Sequence, residues 1–318
     1  MTAIVVIGLF ILAAIRLRPL IRKGSDTVFM AAVVEGVGMG INIDAVYTWL
    51  DPLLGGQNLT NLISHILVIG GLWFLRSAIL DSVAPEAGSI YRITSILPLT
   101  ATLVAHAVLF FLSDLPVTAA SFNETYGDQT TVAMYTCLSM LYIAWVTAET
   151  GLACLRYVPQ MRASFRVGFT VLGAGCAAAM TAALSQIIFV MGKHFDFLAP
   201  LGDVTATLYE TCQSLSILLI GIGLIIPPAA ASVTKRRTDA WHRQANEKMA
   251  AIWDRLREVT KERQSLPVDT ISGSELTYRL LVEIRDSQLM AGEASPLTDE
   301  ELAYVDEVEG KLDVVPAR

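Results

Sequence analysis

Apolar residues dominate seven long blocks in the first 231 positions, separated by short polar intervals. The blocks lie near 2–20, 27–48, 58–80, 91–112, 131–155, 165–192 and 204–227. About 20 apolar residues cover a bilayer as a helix, so the pattern predicts seven transmembrane helices. Pro227-Pro228 is expected to end the last one, because proline lacks the N–H donor and clashes inside a helix. Beyond 231 the pattern turns amphipathic. Trp241, Met249, Ile252, Trp253, Leu256 and Val259 form an apolar stripe amid Lys, Arg and Glu, which predicts one helix over 232–265 closed by Pro267. "SGSELTYRLLVEIRDSQLM" and "PLTDEELAYVDEVEGKL" predict two more. Ser272/Glu275 and Thr298/Glu301 have capping-box spacing, and Leu297/Leu302 suit a hydrophobic staple. The expected organisation is therefore all-α: a seven-helix transmembrane domain, 1–231, and a small cytosolic helical domain, 232–318.

Polar residues inside the apolar blocks are the candidate chemistry. The second block, "AAVVEGVGMGINIDAVYTWLD", carries Glu35, Asn42 and Asp44 and three alternating glycines. At about 100° per residue, Glu35, Gly38 and Asn42 share one stripe. Gly36 and Gly40 lie on another, at the GxxxG spacing that lets a neighbouring helix approach closely. A carboxylate facing lipid is costly, so Glu35 should face the bundle interior or a water-filled cavity. Asn58, Asn61 and His65 form a stripe on the third span, Ser95, Thr102 and His106 on the fourth, and Thr207, Glu210, Gln213 and Ser214 on the seventh; Gln186 stands alone on the sixth. At about 1.5 Å per residue, His65, His106, Gln186 and Glu210 each fall roughly 10 Å below the outer surface. Asn42 would lie slightly deeper and Glu35 near the midplane. The expected ligand-binding set is Glu35, Asn42, His65, His106, Gln186, Glu210 and Gln213, with Gly36 and Gly40 as packing residues. "EIRD", Glu283 to Asp286, reads as a solvated face with charge pairs three residues apart. Glu149, aligned with Tyr135 and Tyr142 at heptad spacing, reads as a snorkelling residue or as one half of a simple ion pair with Arg156, seven residues on near the inner interface.

Charge fixes the orientation. With the N-terminus outside, the inner loops hold Arg16, Arg18, Arg22, Lys23, Arg76, Arg92, Arg156, Arg162 and Arg166, while the outer loops hold only Lys193. Lys235-Arg236-Arg237 follows the last span on the inside. This is the asymmetry of the positive-inside rule. The first charges come after the first apolar run, the reverse of a cleavable signal peptide, so the first helix is expected to be retained. Only 17% of the 318 residues are charged, against about 25% in soluble domains. The net charge of −7 divides into −3 before residue 232 and −4 after it, with no basic surplus to hold nucleic acid. The four cysteines all lie in apolar blocks without a CxxC pair, which reads as buried thiols rather than disulfides or a zinc site. No cofactor or metal is expected. Two membrane histidines fall short of a full haem or zinc set, and neither HExxH nor GxSxG occurs.

"NLTNLISHILVIGGLWFL", Trp253 and above all "SELTYRLLVEIRDSQL" resemble an actinobacterial family of seven-span integral membrane proteins. Its members are regarded as transporters and carry a C-terminal cytosolic domain with no assigned role. The resemblance implies transport across the cell membrane and assigns no site residue. Two functions follow as expectations. One is a transporter of a small molecule or ion through an outward-facing polar pocket. The other is a seven-helix sensor that relays ligand binding to the tail and on to a cytosolic protein partner. An enzyme ranks third. The expected partners are the lipid bilayer, an unidentified small-molecule ligand, that cytosolic protein, and a second copy of the chain if the small tail needs one to complete its core.

Overall fold

The structure is a computed structural model that describes residues 2–83, 88–161, 163–195, 202–259, 273–291 and 297–313. Among them every regular element is helical. The helices are α1 (Thr2–Lys23), α2 (Thr27–Ile41), α3 (Asp44–Leu53), α4 (Leu59–Val83), α5 (Gly88–Phe111), α6 (Phe122–Tyr126), α7 (Thr130–Tyr157), α8 (Ala163–His194), α9 (Gly202–Val259), α10 (Ser274–Ala291) and α11 (Asp299–Asp313), with a 3-10 turn at Val158–Gln160. Five helices are long and apolar enough to cross a membrane, and six if the bent pair α2–α3 counts as one span. The described apolar part of α5, Ile96–Phe111, is shorter. The chain divides into two compact units, Met1–Pro228 and Ala229–Arg318, and α9 contributes to both.

In the first unit α4 is the axis. It packs against α2, α5 and α7, while α1 packs on α2 and α8 on α7. The main core joins Ile69, Leu72 and Leu75 of α4 to Tyr142 and Val146 of α7 and Leu172 of α8. Glycines set the closest helix approaches. A side-chain carbon at Gly38 would come 2.9 Å from Leu67 Cβ on α4, and one at Gly71 would come 2.9 Å from Glu35 Cβ on α2. Gly36 and Gly40 face α1, against Leu9 and Val6, at the looser 3.4 and 3.6 Å. So the tightest seam of α2 is with α4 and runs through Gly38, not through the GxxxG pair.

Two sequence expectations about continuity fail. The second apolar block is not one helix. α2 stops at Ile41, Asn42 is its C-terminal cap, and α3 leaves at 82°. Asn42 therefore does not extend the stripe of Glu35 and Gly38. Conversely, Pro227-Pro228 does not end α9. The prolines leave two carbonyls a turn earlier without their helical donors, but Pro227 is seated against α8. A side-chain carbon at Gly168 would lie 2.9 Å from both Pro227 Cδ and the Gly223 carbonyl oxygen. That packing supports the helix where the local signal says stop.

The second unit has its own core: Ala245, Met249, Ile252, Trp253 and Leu256 of α9 meet Leu280, Leu281 and Ile284 of α10 and Val305 and Val308 of α11. The start of α11 is a capping box. Thr298 N donates to Glu301 Oε2 at 3.0 Å and Glu301 N donates to Thr298 Oγ1 at 3.4 Å, and Leu297 and Leu302 both join the core. Ser272 and Pro267 lie outside the described residues. Arg285 of the "EIRD" block does not pair along its own helix with an acid; it bonds Glu309 and Asp306 of α11. The block thus joins two helices.

Candidate functional site

Polar chemistry in the first unit is strung along α4 at four levels. The first is at its N-terminus. Asp51, buried on α3, accepts from Asn58 N (2.9 Å) and Thr118 Oγ1 (2.6 Å) with Oδ2 and from Thr60 N (3.0 Å) with Oδ1. It therefore caps α4 from seven residues upstream of Asn58, meeting backbone donors that a helix start leaves open. Asn58 sits in the left-handed region, φ 61°. Its Oδ1 accepts from Tyr47 OH and Ala119 N, both at 2.8 Å, and its Nδ2 donates to Val117 O at 2.8 Å. This network latches α3 and the 112–121 loop onto the end of α4.

Second, about 9 Å along α4, His65 faces His106 of α5. Their ring centroids are 5.3 Å apart, and Tyr135 of α7 stacks on His106 at 3.7 Å. His65 Nδ1 lies 3.0 Å from the Asn61 carbonyl oxygen. A carbonyl only accepts, so Nδ1 carries the proton and Nε2 is left as an acceptor in the neutral ring. Tyr135 OH donates to Asn61 Oδ1 at 2.7 Å, and His106 Nδ1 is 3.2 Å from Ser139 Oγ. The pair can hold one proton or accept hydrogen bonds. Among the described residues no group of three or more His, Cys, Asp or Glu side chains could hold a metal ion.

The third level is Glu35. Its Cβ and backbone are the closest neighbours of Gly71, twelve residues into the 25-residue α4, so Glu35 on α2 lies level with the middle of α4. Glu35 lines a small apolar pocket with Leu9 and Leu12 of α1, Ala31 of α2, Leu75 of α4, and Ile220 and Leu224 of α9. Among the described residues it has no hydrogen-bond partner.

Fourth, Arg76 of α4 forms a two-pronged ion pair with Glu149 of α7. Nε donates to Oε2 at 2.8 Å and NH2 to Oε1 at 2.7 Å, with Arg76 only 3% exposed. The guanidinium also lies 5.5 Å from the Trp145 ring centre. Arg76 is thus a buried helix residue and not an inner-loop charge. Eleven residues bring an α-helix back to nearly the same face, so His65 and Arg76 both look toward α7. Ile69, Leu72, Tyr142 and Val146 fill the space between these two levels. The buried hydroxyl of Tyr142 has no partner.

The structure therefore brings together only part of the set chosen from sequence. His65 and His106 meet. Glu35 sits deeper, on a different face, against α1 and α9. Glu210 is exposed on α9, and Gln213 pairs with Tyr209 one turn earlier. Gln186 is buried on α8 and makes no hydrogen bond with the histidines. Asn42 is a helix cap. The Ser95 side chain lies outside those described. Sequence reasoning offered Arg156 as the partner of Glu149 where the structure has Arg76, and it gave no role to Asp51, Tyr47 and Tyr135. The signal for Arg76 was its place inside an apolar run that continues to Leu80. No family model, curated protein or solved structure matches the chain.

Proposed function

We propose that the chain is a multi-pass cell-membrane transporter of a small solute or ion, crossing the bilayer seven times with its N-terminus outside, and that Glu35 is its coupling group. The seven spans are the five long apolar helices, α5, and α2 continued by α3. The orientation rests on the loop charges, in which Lys193 stands alone on one side against the arginines of the other. The observation that carries transport is Glu35: an acid on α2, level with the middle of α4, lining a pocket, with no hydrogen-bond partner among the described residues. Ionisable groups at such depth mark ion and proton pathways. Transport also agrees with what the family resemblance implies. The test is charge movement by the full chain in vesicles on imposing gradients of protons, sodium or potassium. A current that Glu35→Gln abolishes is the expected result; no current with any of the three, or an unaffected variant, overturns the reading.

The sensor reading has one observation of its own. α9 belongs to both units and supplies five core residues to the second. Truncation after Lys235 separates the two readings: a transporter keeps its currents, whereas a sensor loses its output while still binding.

A further inference from the structure

We infer that the ion bound at Glu35 is the proton, and that the pocket takes no metal cation. The inference rests on Glu35 being the coupling group and adds the chemistry of what it binds. A hard metal cation needs about six or more oxygen ligands to replace its hydration shell. The side chains of the Glu35 pocket offer two, both from the one carboxylate. Its other walls are the apolar side chains of α1, α2, α4 and α9, among them Leu12, Leu75 and Ile220. Of the backbone carbonyls behind them, that of Leu224 lacks its helical donor because of Pro228, which raises the count to three at most, still short of six. No hydroxyl, amide or second acid faces in.

No positive group compensates the carboxylate either. On α1 the nearest basic residue along the helix, Arg16, is directed to Asp26 at 3.6 Å. On α4 Arg76 is committed to Glu149. The wall from α9 carries no titratable side chain. An ionised Glu35 closed in this pocket would be an unpaired charge in an apolar medium, which is strongly unfavourable. A neutral carboxyl is tolerated there. Glu35 thus alternates between the protonated acid when the pocket is closed and the carboxylate when water enters, releasing its proton to that water. The close seam at Gly71 sets the Glu35 backbone against α4, so opening the pocket requires α1 or α9 to move rather than α2 against α4.

The test uses an apolar carbodiimide, which modifies protonated carboxyls in apolar surroundings, on the full chain in vesicles, with Glu35 followed by mass spectrometry. The modification rate should fall about tenfold per pH unit above the Glu35 midpoint and should be unchanged by saturating sodium or potassium. Glu35→Gln should remove this adduct and leave other labelled carboxyls unchanged. Protection by either metal ion, or by tetraphenylphosphonium, overturns the proposal, as does a Glu35 that resists the reagent at every pH. Failure here is distinct from failure of transport. Metal protection together with Glu35-dependent current retains the transporter and removes the proton, whereas pH-dependent labelling without any current retains the proton and removes transport.

Discussion

At the scale of single residues, the Arg76–Glu149 pair and the His242 cluster give the sharpest expectations. Removing one member of a buried ion pair leaves the other charge uncompensated, which costs about 3–5 kcal/mol. Glu149 keeps 28% side-chain exposure, so the lower end applies. Arg76→Gln and Glu149→Gln should each lower the thermal midpoint of the detergent-solubilised protein. The double variant should recover most of the loss, because it removes both charges; additive losses would show that the pair is not coupled. In the tail, His242 Nδ1 lies 2.8 Å from Thr277 Oγ1, which in turn bonds Asn246 Oδ1 at 2.7 Å. Burial holds the His242 imidazole below its ordinary value of 6.5, against the smaller opposing pull of Asp239. The unfolded chain therefore takes up a proton before the folded one does. Stability is full above the ordinary histidine value and is lost as pH falls through it. Limited proteolysis of α10 and α11 in the full chain should speed up on acidification below that value. His242→Gln should flatten this step.

At the scale of elements, backbone approach matters more than motif. Gly71→Ala places a carbon 2.9 Å from Glu35 Cβ, which forces α2 and α4 apart. Overpacking of this kind costs about 1–3 kcal/mol. Gly36→Ala meets Leu9 at 3.4 Å, an ordinary contact, and should cost less. Comparing their melting midpoints checks the order, and equal losses would put the tight seam elsewhere. The sequence showed α2 as glycine-rich, and it marked the GxxxG pair by spacing. It could not show which glycine faces which helix, because that depends on how α1 and α4 are arranged around α2. The same limit explains the break after Ile41. The apolar run continues through it, and the 82° turn is held by Tyr47 and Asp51 reaching Asn58, Thr60 and Thr118. None of those bonds is local enough to be read from periodicity. The start of α11 is the opposite case. Its capping box and staple join residues within a few positions of each other, so the pattern alone located it.

At the scale of the whole molecule, the loop charges predict topology. A reporter active only outside the cytoplasm should work when fused after Thr125 and fail after Thr238. The reverse pattern, or equal activity, removes the seven-span arrangement. What the sequence determined by itself is what depends on composition and short range: a helical chain, apolar blocks long enough to span a bilayer, and an amphipathic, charged tail with its own helix starts. Transfer to lipid and helix capping act on each segment separately, so each can be read one segment at a time. The tertiary structure alone decided the rest. It set His65 against His106, sent Glu35 to an apolar pocket walled by α1 and α9, joined Arg76 to Glu149, and carried α9 through two prolines against Gly168. Each of these joins positions tens of residues apart. Their meeting depends on the rotation and depth at which whole helices pack, and a hydrophobic period constrains the buried face of a helix without naming the neighbour that covers it.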